Sequence, residues 1–472
     1  MNKYKKLAFN SLIFTIGNMG SKLISLFLVP LYTFYLTSGE YGTVDLISTT
    51  MSLLIPIFTI SIYDAVLRFV MDKHENTKTI LNNALLVTVL GVIFAFLLYP
   101  IFEILLPFPN LMNYFYLFLL TQAINSTFLQ FIRASGKVKL YAGMGIVSAL
   151  VISCSNIILI VLLKLGSTGY LVSLILSDIV ILTIMLFFGE IYKYISFKNF
   201  NWNLMKKMMF YSLPLMPNAL MWWVMGVVDR YFITFYLGLA SNGLYAVANK
   251  VPNILSMVNS IFFQAWQMSA IEEANTDNKN KFFTTVFDVF STTMIIVSSI
   301  LLVILKPLIS TVISQEYFIS WEYVPFLLLG VVFSSFSGFL GTNYIANKNT
   351  KGVFKTSVIG ALINVIGNVI LIPRIGVNGA SISTMISFLI VWIIRIFDTR
   401  KYVTIHINVW KMIFNLGVLF VQISNLYMKY SYQIIINIIL FFVLLLINRK
   451  VLRILIVKII GLFHKKFKMR AR

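Results

Sequence analysis

The sequence predicts an all-α polytopic membrane protein of about 14 transmembrane helices, two six-helix lobes related by an internal repeat plus two C-terminal helices. Three observations carry that prediction. The 472 residues are 59% hydrophobic and only 11% charged, with a mean hydropathy of +0.88, far more apolar sequence than a soluble core can use. Apolar windows of about 20 residues follow one another nearly end to end, each long enough to cross roughly 30 Å of hydrocarbon as a helix. Residues 9–42 return without a gap, 201 positions later, as residues 210–243.

The repeat is weak in identity and specific in order. Phe9, Ser11 and Leu12 recur as Phe210, Ser212 and Leu213, the run Thr33-Phe34-Tyr35-Leu36 recurs as Thr234-Phe235-Tyr236-Leu237, and Gly42 recurs as Gly243. These are eight identities in 34 positions. Chance would give about three in so apolar a stretch. A second echo, at an offset of 210, matches Lys164-Leu165-Gly166 with Gly169, Ser173 and Ser177 to Arg374-Ile375-Gly376 with Gly379, Ser383 and Ser387. Transporters built from two like halves place their function between them.

Taken in order, spans are expected near 10–36, 43–67, 81–106, 111–132, 141–163 and 169–189 in the first lobe. The second lobe holds 208–237, 243–268, 283–308, 323–345, 353–372 and 377–397, and two more follow at 408–428 and 433–452. The expected organisation is a lobe at 1–190, a basic linker at 191–207, a lobe at 208–400, an added helix pair within 401–456, and a basic tail at 457–472. The basic start, Met1 to Lys6, leads into a segment too long for a signal-peptide core and is read as a retained first helix. The sole cysteine, Cys154, leaves no intrachain disulfide, and three scattered histidines give no zinc cluster, so no metal is expected.

The formal charge of +22 raises nucleic acid as a partner, and the placement of the charge answers it. With the N-terminus inside, 31 of the 38 lysines and arginines fall in segments on the same side. That asymmetry is the positive-inside pattern, which puts both termini in the cytoplasm. Membrane lipids, not nucleic acid, are the expected contact of these charges, and the tail is expected to lie on the inner leaflet. No loop is long enough to fold as a domain, and no phosphate-binding glycine loop, Asp-x-Asp pair or Gly-x-Ser-x-Gly elbow is present. No enzyme is expected and no catalytic residue is assigned.

Ionisable side chains inside spans are costly and are functional candidates by default. Lys22 sits about a dozen residues from either end of its span, too deep to reach the interface easily. Asp64 and Arg68 stand one turn apart and can pair along their helix. Asp229 and Arg230 lie in the outer half of the seventh span, with Lys250 at similar depth in the eighth, where snorkelling is the plain alternative. A guanidinium beside an ammonium suits a diphosphate, so Lys22, Arg230, Lys250 and Arg68 are the candidate anion-binding set. Asn18 offers hydrogen bonds to sugar hydroxyls, and Trp222 with Trp223 lies deep enough to stack on a sugar face or simply to pack. Asp64, Asp178 and Asp229 are candidate carriers of a coupling ion, H⁺ or Na⁺, and no other cofactor is expected.

At these residues the chain resembles the polysaccharide repeat-unit flippases (Wzx-type) of the multidrug/oligosaccharidyl-lipid/polysaccharide exporter superfamily. The likeness runs through Phe9-Asn10-Ser11, Gly17-Asn18, Ser21-Lys22, Pro30-Leu31-Tyr32-Thr33, Glu40-Tyr41-Gly42 and Ala65-Val66-Leu67-Arg68-Phe69 in the first lobe. It continues through Tyr211-Ser212-Leu213-Pro214, Asp229-Arg230-Tyr231, Gly243-Leu244-Tyr245 and Gln264-Ala265-Trp266 in the second, spanning about residues 7–400. The resemblance implies two six-helix bundles rocking about a central cavity. It implies as substrate an undecaprenyl-diphosphate-linked oligosaccharide moved from the inner to the outer leaflet for capsule, exopolysaccharide or O-antigen-type assembly, with polysaccharide polymerase machinery as a partner. Basic cavity residues are a family trait that Lys22 and Arg230 match. The alternatives are a multidrug cation antiporter of the same fold, which would want unpaired cavity acids, and a lipid II-type cell-wall precursor flippase.

Overall fold

The computed structural model describes residues 19–72, 75–196, 200–273, 276–346, 350–428 and 432–453. Asn18, the first part of the first span and the basic tail lie outside the described residues. Among the described residues every regular element is a helix. By packing the chain divides into a first unit, Met1–Ala246, and a second, Val247–Arg472.

The first unit contains α1 (Met19–Tyr35), α2 (Ser38–Phe58), α3 (Ile62–Asp72), α4 (Thr77–Leu97), α5 (Tyr99–Leu105), α6 (Met112–Ala134), α7 (Val138–Leu162) and α8 (Gly166–Phe187). It continues with α9 (Trp202–Ser212), α10 (Leu215–Val227) and α11 (Asp229–Ala248), whose last two residues belong to the second unit. The second unit holds α12 (Lys250–Glu273), α13 (Lys279–Val312), α14 (Val324–Ala346), α15 (Thr350–Ile375), α16 (Val377–Asp398), α17 (Val409–Tyr427) and α18 (Gln433–Ile447). Each expected span falls on one or more of these helices. Ten described helices are long and apolar enough to cross a membrane, and α1 and α18 are shorter apolar helices. The remaining expected spans, 208–237 and 243–268, are built from the broken run α9 to α12, where Pro214 separates α9 from α10 and Gly238, at φ 85°, kinks α11.

Local chemistry sets the entry to α2. Thr37 and Glu40 form a capping box, in which the Thr37 side chain accepts from the Glu40 amide and the Glu40 carboxylate accepts from the Thr37 amide at 2.9 Å. The helix ends at a break that carries no glycine. Ile60 and Ser61 both adopt left-handed backbone, at φ 51° and 50°, an arrangement costly for a β-branched residue. Pro56 accepts the Ser61 amide at 2.9 Å, closing the turn.

Two apolar clusters hold the first unit. Ile47, Met51, Phe115, Leu119, Leu171 and Ile175 join α2, α6 and α8. Ile62, Val66, Ile80, Phe131, Met185 and Met208 join α3, α4, α6, α8 and α9. The inter-lobe segment is pinned to α4 by adjacent asparagines. Asn82 donates to the Tyr194 carbonyl at 2.9 Å, and Asn83, fully buried, donates to the Asn201 carbonyl at 3.0 Å.

In the second unit, Phe262, Trp266, Phe290 and Phe339 stack in one aromatic column, with the Trp266 indole donating to Thr342 at 3.0 Å. Arg395, two residues from the end of the expected 377–397 span, is buried at 2% exposure. Its guanidinium donates to Thr356 Oγ1 at 3.0 Å and to the Ser337 carbonyl at 2.9 Å, bracing α14, α15 and α16. Lys306 likewise donates to the Leu426 carbonyl at 2.7 Å and to Gln433 at 3.0 Å, which ties α13 to the C-terminal helix pair.

Candidate functional site

The candidate site lies in the first unit, where α2 meets α10 and α11. Gly42 and Gly243, equivalent positions of the repeat, face each other so closely that a methyl group on Gly42 would overlap the Leu239 carbonyl oxygen, and one on Gly243 that of Ser38. Ser38 and Leu239 are themselves repeat equivalents, so the contact has an approximate two-fold relation. Asn242 locks it, donating to the Gly42 carbonyl at 2.8 Å. Small residues allow backbones to approach this closely in membranes.

Three further contacts continue the interface along α2. Arg230 Nε donates to Asp45 Oδ2 at 2.7 Å, both side chains only 14% and 16% exposed. Thr50 and Tyr231 share a hydroxyl hydrogen bond. The Trp223 indole donates to the Thr49 carbonyl and to Ser52 Oγ, each at 3.1 Å. Behind this row Asp229 is buried and accepts from the Tyr245 hydroxyl at 2.8 Å, across the Gly238 kink. The Arg230 guanidinium stands over the Tyr245 ring at 5.8 Å. One guanidinium thus sits among two carboxylates and a tyrosine, with Asp45 as its direct partner.

The structure disperses the other sequence-predicted residues. Lys22 is exposed on α1 and forms no ion pair among the described residues. Lys250 is half-buried at the start of α12, in the second unit. Arg68 pairs with Asp72 at 3.3 Å and not with Asp64; each carboxylate is one turn away, but Asp72 is exposed beside Arg68 whereas Asp64 is half-buried. Asp178 accepts from Thr121 Oγ1 at 3.1 Å in a polar region of α6, α7 and α8. Trp222 is 45% exposed, whereas Trp223 is the member of the pair that joins the α2 interface. Sequence reasoning missed Asp45 and Tyr245. The signal for Asp45 was its place three residues beyond Gly42, on the turn that the repeat marks.

The fold defines a class: a multi-pass helical membrane protein with the architecture of the multidrug/oligosaccharidyl-lipid/polysaccharide exporter superfamily of flippases and transporters. Within it the chain belongs to the polysaccharide biosynthesis protein family, whose model matches residues 7–267. Residues 322–452 also match the family model of the lipid II flippase MurJ. Among solved structures, the lipid II flippase MurJ in an inward closed conformation superimposes with a TM-score of 0.66 at 18% identity, over 93% of this chain and 100% of that one. An inward-facing multidrug resistance MATE family transporter gives 0.63 at 11% identity, over 82% and 94%. A mutant of the Vibrio cholerae MATE transporter VcmN gives 0.59 at 13%, over 84% and 96%. An uncharacterised membrane protein of Methanocaldococcus jannaschii is 32% identical over 187 residues, which is 38% of this chain and 36% of the relative. The chain thus matches about a third of that relative's length.

Proposed function

We propose that the protein flips an undecaprenyl-diphosphate-linked oligosaccharide repeat unit from the inner to the outer leaflet of the cytoplasmic membrane by alternating access, feeding a polysaccharide polymerase. The observation that carries this reading is the polysaccharide biosynthesis family match over 7–267, on an exporter fold. The physics supports it. The lipid tail stays in hydrocarbon while the sugar diphosphate, prohibitive in lipid, crosses through a hydrated path. With the cell interior negative, moving two negative charges outward is favoured by roughly 4 to 5 kcal/mol per 100 mV.

In this reading the Gly42–Gly243 contact closes the outer end of the path, since the positive-inside charge pattern assigns both turns to the outer face. Opening that end exchanges Asp45 for the diphosphate as the partner of Arg230, with Lys22 as a further cation for the anion. Coupled entry of H⁺ or Na⁺ adds drive through Asp64, Asp178 or Asp229. A second reading, a lipid II-type precursor flippase, is favoured by the MurJ match over 322–452 and differs in the sugar carried. Deleting the gene tests both against a drug antiporter. Lipid-linked oligosaccharide accumulating on the inner leaflet with loss of surface polymer supports the first, arrest of cell-wall assembly the second, and intact polymer with altered drug tolerance contradicts both.

A further inference from the structure

Two polar cavities, of about 350 and 290 Å³, open inside the first unit and share the wall made by Gln122, Ser126, Leu129 and Tyr141. Ser48 and Ser52 of α2 line the first, Ser148 of α7 and Asp178 of α8 the second. Gln122, Ser126 and Gln130 repeat every four residues, so they form one stripe along α6. The side-chain oxygens of Gln122, Asn125 and Gln130 are buried and accept no hydrogen bond, and Asn125 as a whole is 4% exposed. Gln122 lines both cavities, Asn125 the second and Gln130 the first, and their amide oxygens find no donor within the protein, so water or a hydroxyl-bearing ligand in the cavities supplies one.

The lining names the ligand's chemistry. Among the described residues no lysine or arginine lines either cavity, so the lining offers a diphosphate no cation. The cavities are many times the roughly 30 Å³ share of a water molecule, too large for a bare ion. Three amide oxygens, one carboxylate and several hydroxyls want donors from a polyol, and the Tyr63 and Tyr141 rings offer apolar faces for its C–H surface, one side of Tyr141 being taken by Arg133 at 5.7 Å. Asp178, bonded by Thr121, repels an acidic sugar.

We infer that these cavities form the sugar-reading site of the protein, seating an uncharged, hydroxyl-rich sugar of the transported lipid against the Gln122–Gln130 stripe and Asp178. The inference rests on the flippase reading above and adds where the sugar is recognised and that it is uncharged. The apolar substitution of both glutamines then separates function from folding, because it removes unpaired oxygens from the interior while deleting the sugar's partners.

The test uses the full chain in lipid nanodiscs. The probes are undecaprenyl diphosphate alone and the same lipid bearing one hexose, one N-acetylhexosamine or one hexuronic acid. The wild type is expected to bind one of the uncharged glycosylated probes about tenfold more tightly than the bare or the acidic one, and Gln122→Leu/Gln130→Leu is expected to lose that preference with an equal or higher thermal midpoint. Equal affinity of the wild type for all probes overturns the inference, as does a double variant that keeps the preference. If the double variant keeps the preference and Asp178→Asn removes a Na⁺ or pH dependence of binding, the cavities hold a cation instead. Absence of binding by every probe rejects the flippase reading itself, and the sugar site with it.

Discussion

Gly42 and Gly243, which occupy the same place in two copies of an internal repeat, pack backbone against backbone, each leaving no room for a side chain on the other. The repeat therefore does more than duplicate a scaffold, because its two copies meet at the residues they share.

Gly42→Val and Gly243→Val are expected to destabilise the folded protein by about 1–3 kcal/mol, the usual cost of overpacking a close contact. Chemical unfolding in detergent measures it. Gly39→Ala, where a Cβ meets nothing within 4 Å, is the control and is expected to change little.

The Asp45–Arg230 pair is largely buried, so removing one partner leaves an uncompensated charge. Arg230→Ala or Asp45→Ala alone is expected to cost about 3–5 kcal/mol, and the double variant clearly less than the sum. A double-mutant cycle on unfolding midpoints reads this directly, and additivity of the two losses would contradict the pairing.

Arg68 and Asp72 form an exposed pair, at 55% and 43% exposure. Arg68→Ala is expected to shift stability by less than about 1 kcal/mol. A transport defect in Arg68→Ala at unchanged stability would assign Arg68 to the substrate path.

Arg395 serves acceptors on α14 and α15 through separate nitrogens of its planar fork. Arg395→Lys keeps the charge and loses that geometry, and is expected to destabilise the protein by about 1–3 kcal/mol. Calorimetry of the two proteins in one detergent gives the comparison.

Glu190, outside the spans, is held below the usual glutamate range by hydrogen bonds from Lys193 and Lys137. A depressed folded-state carboxylate contributes stability above its unfolded value, about 4.3, and loses it as pH falls through the folded value. Glu190→Gln is expected to flatten the pH dependence of unfolding below about pH 4, by a small amount because solvent screens the exposed group.

The spans were legible because hydrocarbon forces each crossing to satisfy its own backbone, which leaves long apolar runs in the sequence. The breaks were less so. Pro214 announces one, but the turn at Ile60 and Ser61 uses residues that carry no such signal, and tertiary packing imposes it. Charges near span ends were the hardest to place. Asp45 lies two residues inside its expected span yet faces Arg230, Arg395 lies two residues from the end of its own yet is buried, and Arg68 chose Asp72 over Asp64. Asn82 and Asn83 turned an apparently free linker into a docked one, which hydropathy cannot register. The Gln122–Ser126–Gln130 stripe has a helical period in the sequence, but no charge distinguishes it from ordinary helix packing.

The most direct measurement reconstitutes the purified protein in vesicles carrying a fluorescent undecaprenyl-diphosphate oligosaccharide in both leaflets, and follows quenching by a membrane-impermeant reagent added outside. Flipping predicts that the protected inner-leaflet half becomes quenchable when the protein is present, and that Lys22→Ala slows this at unchanged protein content. A protected fraction that stays at one half, with folded protein in the bilayer, would contradict the account.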